Sequence, residues 1–412
     1  MSSRTLPPSS DAGAREKPPR APASARAALA LLPRLQVGTL IVHTPDGATH
    51  QASGATHPEL HATLCVHDWS AFAATMRTGD IGFAEAFMSG QWTTPHLGDL
   101  LRLLLANRAV IEKAIYGTWW GLLLHRLQHA LNRNTRRGSR RNIEAHYDLG
   151  NDFYALWLDE TMNYSSAWFD GDPARPLAEA QAAKLRRAIA ATGVRPGERL
   201  LEIGCGWGAI AEAAARDGVD VVGLTLSKEQ LAWAQARLAR AGVAQHADLR
   251  LQDYRDVPDG PFDAIVSIEM FEAVGREYWD AYFKTVHAQL KLGGKACIQA
   301  IVIRDDLFDR YARSADFIQR YVFPGGMLPS VALFERHARA AGLQVVDRFA
   351  FGPDYAETLR HWRHAFIARL DDVRRQGFDD RFVRLWEFYL AYCEAAFDAG
   401  NTDVIQFTLQ RD

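Results

Sequence analysis

Three alternating glycines follow a short apolar segment near the middle of the chain. Residues 199–203 have the character of a buried strand, and Gly204, Gly206 and Gly208 come directly after it. Glycines at such a strand-to-helix turn let the backbone approach a ligand closely, and the N-terminus of the next helix faces that ligand. The spacing is not the G-x-G-x-x-G of dinucleotide-binding folds, and the acidic residue expected about twenty positions later is absent. The segment therefore predicts a loop that binds another kind of nucleotide cofactor.

Polar side chains follow the next predicted strand, Val219 to Leu224. Thr225, Ser227 and Gln230 offer hydroxyl and amide groups that suit the polar atoms of a ribose and a methionine. Together with the glycine spacing, they resemble the cofactor loop of S-adenosylmethionine (SAM)-dependent methyltransferases. The alternative is a glycine-rich turn that binds nothing, which would leave a polar cleft at the helix N-terminus unfilled.

Apolar segments alternate with helical segments through the rest of this region. The predicted strands are Arg199 to Ile203, Val219 to Leu224, Asp248 to Leu251, Phe262 to Ile268 and Lys295 to Ile303, with late strands at Gln344 to Phe351 and Val404 to Leu409. Alternation of this kind is typical of a parallel sheet covered by helices on both faces. We therefore expect an α/β fold with a Rossmann-like, doubly wound sheet.

The charge balance and the cysteines limit the classes of partner and compartment. The 412 residues include 47 Lys and Arg against 49 Asp and Glu, which gives a formal net charge of −2. This balance argues against a surface built for nucleic acid, so we expect no nucleic-acid partner. The four cysteines lack C-x-x-C spacing and favour neither a zinc site nor a disulfide framework, as in a reducing cytoplasm. No apolar run reaches the length of about eighteen residues that predicts a membrane-spanning helix.

The composition changes along the chain and predicts four segments. Residues 1–25 are rich in Pro, Ser, Ala and Arg and are predicted to be a disordered tail. Residues 26–131 read first as strands and then as helices, which predicts a smaller α+β N-terminal domain. Residues 132–141 carry five arginines after an amphipathic helix and form a basic linker, and residues 142–412 form the catalytic domain. The linker suits either a membrane surface with anionic headgroups or a solvated connection between domains.

Several blocks, taken in order, resemble one family, the cyclopropane-fatty-acyl-phospholipid synthases and mycolic acid methyltransferases. The blocks span about residues 142–410, and the N-terminal unit also looks like that family's extra domain. The resemblance implies a class I SAM-dependent methyltransferase that acts on unsaturated acyl chains of membrane phospholipids. The blocks are residues 146–149, 161–169, 201–208, 223–227, 270–275, 321–326 and 354–355.

The resemblance also implies which residues contact SAM and the acyl chain. It places SAM against Tyr164, Ser165, Gly204, Gly206, Thr225, Leu226 and Gln230, with Asp253 and Tyr254 beside the adenine. Tyr164 could equally be a buried aromatic residue whose hydroxyl has a partner in the protein. An acyl chain needs an apolar tunnel, although aromatic residues are more often ordinary core. The tunnel candidates are Phe153, Trp157, Phe308, Phe317, Tyr321 and Phe323.

The implied reaction needs a base. Methyl transfer to the π bond of a cis alkene leaves a carbocation that must lose a proton. In the family a bicarbonate ion takes this proton, held by a Glu, a His, a Tyr and backbone near a Cys. Glu272 and Tyr355 match the Glu and the Tyr. Proton loss from the added methyl group would close a cyclopropane ring, whereas loss from a chain carbon would leave a methylene branch that a separate reductase must reduce.

Three positions depart from the family pattern. Ser166 stands where the family commonly has Cys, and Gln299 stands where it has His, so no cationic imidazole is present to hold bicarbonate. Glu269 stands where the family has a small residue, three positions before Glu272. Its carboxylate could accept the proton directly or raise the pKa of Glu272 by like-charge repulsion. The alternative is a carboxylate that faces solvent at the start of a helix. We expect weaker bicarbonate binding and take Glu269 as a candidate base.

The leading hypothesis is an enzyme that forms cyclopropane fatty acids in membrane phospholipids. The first alternative is methylene or methyl branching by the same chemistry with Glu269 as the relocated base. A small-molecule methyltransferase and a SAM- or lipid-binding relative without catalysis are the alternatives from other classes. We expect a cytoplasmic protein bound peripherally to the inner face of the membrane. The oligomeric state stays open, with a homodimer among the alternatives.

Overall fold

The computed structural model describes residues 21–115, 149–313 and 316–412. The predicted basic linker 132–141 lies outside these residues, as do residues 116–131 before it and most of the predicted tail. Within the described ranges, no helix combines the length and the apolarity needed to cross a bilayer.

The N-terminal part is a small sheet with helices packed on it. The sheet has the order β2-β1-β3-β4, in which β1 pairs antiparallel with β2 and parallel with β3. Helix α4 covers this sheet and buries Leu100 and Leu103 completely. The elements are α1 (Ala23–Leu29), β1 (Val37–His43), β2 (Thr49–Ser53), β3 (Thr56–Val66), α2 (Ser70–Thr78), α3 (Asp80–Met88), β4 (Trp92–Thr93), α4 (Leu97–Ala106) and α5 (Arg108–Ile115).

One prediction for this part needs correction. The predicted disordered tail extends to residue 25, but helix α1 begins at Ala23 and packs against α2, which buries Ala25 completely. Helix α4 ends at Ala106, and Asn107 separates it from α5. The side chain of Asn107 accepts hydrogen bonds from the backbone N–H groups of Gln36 and Val37, so it ties the end of α4 to the start of β1.

The catalytic part is a seven-stranded sheet in the order β10-β11-β9-β8-β5-β6-β7. Its strands are β5 (Arg199–Ile203), β6 (Asp220–Thr225), β7 (Ala247–Leu251), β8 (Phe262–Ile268), β9 (Leu290–Ile303), β10 (Leu343–Ala350) and β11 (Thr402–Arg411). Its helices are α6 (Asn151–Tyr154), α7 (Leu177–Thr192), α8 (Ala209–Arg216), α9 (Lys228–Arg240), α10 (Trp279–Gln289), α11 (Asp305–Tyr311), α12 (Phe317–Tyr321), α13 (Val331–Ala340), α14 (Gly352–Ala368), α15 (Leu370–Arg375) and α16 (Asp380–Asp398).

The predicted strands are confirmed, but the sheet is not wholly parallel. Strand β11 runs antiparallel to both of its neighbours, β9 and β10. The reason is the connection that precedes it. Helices α14, α15 and α16 connect the C-terminal end of β10 to β11. The chain therefore re-enters the sheet at the same end at which β10 left it, and β11 runs in the opposite direction. The Rossmann-like α/β fold class is confirmed with this one reversed strand.

Helix α16 joins the N-terminal part to the catalytic part. Phe388 of this helix packs against Phe87 of α3, with ring centroids 5.8 Å apart. The side chain of Glu394, only 1% exposed, accepts a hydrogen bond from Arg363 at 2.9 Å and lies 3.7 Å from Arg102 of α4. Arg360 is a third cation beside the same carboxylate, at 3.3 Å. The two parts therefore share one apolar cluster and one buried ion-pair network.

Replacing Glu394 by Ala should destabilise the protein by about 3 kcal/mol, because the arginines that face its buried carboxylate lose their counter-charge. The measurement is the urea concentration at the midpoint of unfolding. Asp371→Ala is the matched control, since Asp371 is 94% exposed and pairs with Arg374 at the surface. An exposed pair of this kind contributes about 0–1 kcal/mol. Equal midpoints for the two variants would contradict the central role of Glu394.

Candidate active site

The glycine loop lies between the C-terminal end of β5 and the N-terminus of α8. The backbone N–H groups of Gly204 and Cys205 both donate to the carbonyl of Leu224 on β6, at 3.0 and 2.7 Å. Gly204 has a φ of +86°, and a Cβ atom there would lie 2.9 Å from the Cγ of Met270. The loop can therefore turn at this point only with a glycine, because a side chain would meet both backbone strain and a steric clash.

One cavity opens over this loop, and all nine residues predicted to contact SAM line it. They are Tyr164, Ser165, Gly204, Gly206, Thr225, Leu226, Gln230, Asp253 and Tyr254. The hydroxyl of Thr225 donates to Oε1 of Gln230 at 3.0 Å, so two of the polar groups are held against each other. The Tyr164 hydroxyl forms a hydrogen bond with the Tyr389 hydroxyl at 2.7 Å. Tyr164 therefore lines the cavity and also has a hydrogen-bond partner in the protein, so both interpretations of this residue hold.

Glu269 also lines the cavity, and its carboxylate accepts three hydrogen bonds. The backbone N–H of Ser166 donates to Oε1 at 2.9 Å, and Nε2 of Gln299 donates to the same oxygen at 2.7 Å. The Tyr355 hydroxyl donates to Oε2 at 2.6 Å. The structure thus brings together four of the five predicted catalytic residues, and the carboxylate of Glu269 lies at their centre. The alternative of a solvent-facing carboxylate at a helix start is wrong.

The backbone of Glu269 directs its side chain into this position. Its φ is +49°, a left-handed conformation that is unfavourable for a residue with a Cβ atom. Its N–H donates to the carbonyl of Gln299 at 2.8 Å, which continues the pairing of β8 with β9 past the end of the strand. Burial raises the pKa of Glu269, although the hydrogen bond from Tyr355 and the charge of Lys184 act in the opposite direction.

Glu272, the fifth predicted catalytic residue, lies behind Glu269. Its Oε1 accepts a hydrogen bond from the backbone N–H of Ile301, while its Oε2 is buried without a protein partner. Burial raises its pKa to about 8, and the nearby charge of Glu269 contributes in the same direction. At neutral pH this carboxyl group therefore holds its proton, whereas the three donors at Glu269 stabilise the ionised form of that carboxyl group.

Two placements differ from the sequence predictions. The Ser166 hydroxyl donates to the carbonyl of Ala167 at 2.9 Å, so Ser166 reaches Glu269 through its backbone alone. Phe308, a tunnel candidate, packs against Trp279 in a separate apolar cluster. The remaining tunnel candidates belong to the cluster that surrounds Tyr164 or pack against it.

Lys184 on helix α7 is a buried residue that was not predicted from the sequence. Its side chain has no exposed surface, and its Nζ donates to the Ser165 hydroxyl at 2.5 Å. Burial lowers its pKa to about 8, while the charges of Glu269, Asp159 and Glu202 act to raise it. The available signal was that Gln181 and Lys184, one turn apart on α7, share a face with apolar residues.

The cavity offers groups that suit SAM. Glycine backbone borders one side, and the carboxyl oxygen Oε2 of Glu202 is buried without a protein partner. Burial raises the pKa of Glu202 to about 8. A bound sulfonium cation would favour the ionised forms of Glu202 and Glu269, because opposite charges attract.

Comparison with known proteins agrees with this geometry. The sequence pattern of the family described as mycolic acid cyclopropane synthetase matches residues 134–407. The chain belongs to this family. Its relatives include the tuberculostearic acid methyltransferase of Mycobacterium tuberculosis, 39% identical over 96% of this chain and 94% of the relative. The cyclopropane-fatty-acyl-phospholipid synthase of Escherichia coli K12 is 34% identical over 82% of this chain and 85% of the relative.

A solved structure gives the same result for the fold. The mycolic acid cyclopropane synthase complexed with S-adenosylhomocysteine (SAH) and CTAB superimposes with a TM-score of 0.62 and 35% identity, over 66% of this chain and 98% of that one. The protein is therefore a class I SAM-dependent methyltransferase of this family, and SAM is its cofactor.

Gly204→Ala should weaken SAH binding at least about tenfold, since the left-handed backbone costs about 1–2 kcal/mol with a Cβ atom and the methyl group meets Met270. Isothermal titration calorimetry with SAH measures this directly. Gly242→Ala is the matched control, because Gly242, at the end of α9, has a φ of +70° but no other atom within 4 Å of the position that a Cβ would occupy. Unchanged affinity in Gly204→Ala would contradict the assignment of the loop to the cofactor.

Proposed function

We propose that this enzyme transfers a methyl group from SAM to the cis double bond of unsaturated acyl chains in membrane phospholipids, and that Glu269 is the base that completes the reaction. We further propose that the product is a methylene-branched acyl chain. The observation that carries the proposal is the Glu269 carboxylate, which lines the cofactor cavity and accepts hydrogen bonds from Ser166, Gln299 and Tyr355.

The donors around Glu269 correspond to those that the family resemblance assigns to bicarbonate. The backbone near residue 166, the side chain at 299 and the Tyr355 hydroxyl all point at the Glu269 carboxylate in this chain. Their hydrogen bonds are already used, so a bicarbonate ion does not fit among them unless Glu269 withdraws. We infer that a carboxylate of the protein replaces the external ion and that the reaction needs no bicarbonate.

The residues of this chain supply a proton acceptor at a defined place. SAM, when bound, supplies a methyl group to the alkene, and the acyl chain then carries a positive charge on the carbon next to the one methylated. The carboxylate of Glu269 accepts a proton from the added methyl group. The Tyr355 hydroxyl and the Gln299 amide hold that carboxylate in place.

The proton that is lost to form a methylene branch comes from the added methyl group and not, as expected above, from a chain carbon. Proton loss from the added methyl group closes a ring if the charge is still on the neighbouring carbon. If a hydride first moves from the methylated carbon to that neighbour, loss of the same proton gives a methylene branch. The proton thus leaves the methyl group in both cases, and the branch does not require proton loss from a chain carbon.

The hydrogen bonds to Glu269 favour the slower route. Three donors share the negative charge of the carboxylate and stabilise its ionised form, which weakens it as a base. Slower proton removal gives the carbocation time for the hydride shift. A methyl-branched product would then require a separate reductase, because the methylene group holds a double bond that must be reduced.

The names of the relatives support a lipid substrate. One relative is named a tuberculostearic acid methyltransferase and another a cyclopropane-fatty-acyl-phospholipid synthase. An acyl chain in a phospholipid is reached from the membrane surface, so we propose that the enzyme works as a peripheral protein at the cytoplasmic face. The basic residues 132–141 would attract anionic headgroups there.

The product decides between the two reactions of the family. Purified enzyme, SAM and vesicles of a cis-monounsaturated phosphatidylglycerol should yield lipid whose NMR spectrum contains olefinic methylene protons. Mass spectrometry alone does not distinguish the products, since a ring and a methylene branch add the same mass. High-field cyclopropane protons would overturn the branched product. No modified lipid in any vesicle, together with turnover of a soluble metabolite, would overturn the lipid substrate.

Two variants of Glu269 test the replacement of bicarbonate. Glu269→Gln should reduce turnover about a hundredfold or more with SAH affinity unchanged, because the base is lost and the size is kept. Glu269→Gly restores a small residue at a φ that glycine adopts freely, and it leaves the Ser166 N–H and the Tyr355 hydroxyl without their acceptor. Added bicarbonate should therefore restore part of the turnover in Glu269→Gly and none in Glu269→Gln.

The exposed Glu277, on a turn outside the cavity, provides the control variant Glu277→Gln, which should keep full turnover. Removing dissolved bicarbonate should leave the unmodified enzyme fully active. If its activity falls without bicarbonate and returns with it, Glu269 is not the base.

A further inference from the structure

A chain of hydrogen bonds runs from Arg187 on helix α7, through one residue on each of two strands, to Glu269. The Nη1 of the Arg187 guanidinium donates to Oε1 of Gln406 at 2.6 Å. Nε2 of Gln406 donates to Oε1 of Gln299 at 3.0 Å, and Nε2 of Gln299 donates to Glu269 at 2.7 Å. Gln406 and Gln299 are directly paired residues on β11 and β9, and both are completely buried.

The two ends of this chain have fixed hydrogen-bonding character. An arginine side chain only donates, and an ionised carboxylate only accepts. A glutamine amide can turn over and exchange its donor and its acceptor, so nothing within Gln299 alone decides which end faces Glu269. Arg187 decides it together with the backbone carbonyl of Lys184. The arginine donor requires the oxygen of Gln406, and the carbonyl accepts from the NH₂ group of Gln406 at 3.3 Å. The same NH₂ group then faces the oxygen of Gln299. The NH₂ group of Gln299 must then face Glu269.

We propose that Arg187 and Gln406 are positioning residues that orient the Gln299 amide so that it donates to the catalytic carboxylate of Glu269. This inference rests on the proposed role of Glu269 as the base. If the amide turned over, its oxygen would face the carboxylate and repel its charge, and Glu269 would hold its proton at a higher pH. The orientation therefore keeps the base in its reactive form.

Arg187 is itself held in place. Its guanidinium carbon lies 3.6 Å from the centroid of the Phe349 ring, and its Nη2 lies 3.3 Å from a carboxylate oxygen of Asp347. Only 20% of its side chain is exposed. Stacking on the ring and pairing with the carboxylate fix the position of the guanidinium. Its Nη1 can therefore donate to Gln406 from a constant position.

Other titratable groups face Glu269 and must be kept constant in any test. Lys184 faces it from α7, Tyr355 from α14 and Glu272 from the turn after β8. None of their side chains belongs to the chain through Arg187 and Gln406, although the backbone carbonyl of Lys184 accepts a hydrogen bond from Gln406 at 3.3 Å. Substitutions at residues 187 and 406 therefore change the orientation of Gln299 without removing a side chain that contacts Glu269.

The test is the proton affinity of Glu269, read from infrared spectra recorded over a range of pH. The carboxylic-acid band that is missing in Glu269→Gln belongs to Glu269, and this readout needs neither SAM nor turnover. Gln406→Glu supplies only acceptors, so Gln299 must turn its NH₂ group away from Glu269. We expect the midpoint of the Glu269 band to rise by at least about one pH unit, a tenfold change in proton affinity. Arg187→Met should shift it in the same direction by less.

The same two substitutions in a Gln299→Met background separate orientation from charge. Methionine has no amide to turn over, so the shift caused by Arg187→Met should disappear and that caused by Gln406→Glu should shrink by at least half. Gln410→Glu, four residues further on the same strand, is the control of equal charge and should leave the midpoint unchanged. Shifts of equal size with and without Gln299 would overturn the proposal, as would an unchanged midpoint in Gln406→Glu. A lipid assay without product overturns the proposed function alone.

Discussion

The arrangement of the site depends on burying one ionised carboxylate. A carboxylate in the interior costs several kcal/mol unless donors replace its lost water. The donors for Glu269 come from the loop at Ser166, the strand at Gln299 and the helix at Tyr355, which are far apart along the chain. The carboxylate is therefore tolerated only when sheet, loop and helix are packed together. The site and the tertiary fold form as one unit.

The buried carboxyl groups around the cavity differ in how many hydrogen-bond donors the protein supplies to them. Glu202 and Glu272 each have a pKa raised to about 8, and both leave one carboxyl oxygen without a protein partner. Glu269, whose two oxygens are both engaged, is the carboxyl that the protein solvates best. The buried ammonium of Lys184 offsets its charge in part. The Glu269 carboxylate therefore faces the cofactor cavity from the side of the proposed chemistry, which suits a cationic cofactor and a cationic reaction intermediate.

The sequence predicts the strands well because their apolar runs are bounded by glycines and charged residues, and β5 and β8 have the predicted limits. The glycine spacing predicts the cofactor loop, and the family resemblance supplies the other cavity residues. The sequence does not predict that β11 is antiparallel to its neighbours, because the direction of a strand depends on the end of the sheet at which the preceding helices finish. Arg187 and Gln406 were missed for a related reason: a glutamine in a strand shows no sign of its partner on the neighbouring strand.

The N-terminal part has a physical connection to the chemistry, although the matched family pattern begins only at residue 134. Glu85 of α3 accepts a hydrogen bond from the Tyr321 hydroxyl and lies 3.3 Å from Arg320. The segment that follows Tyr321 returns to the site, where the N–H of Met327 donates to the carbonyl of Glu272 at 2.9 Å. A displacement of α3 would therefore reach the turn that carries Glu272 through only a few residues. Because α3 also packs on α16, the N-terminal part supports the site from two directions.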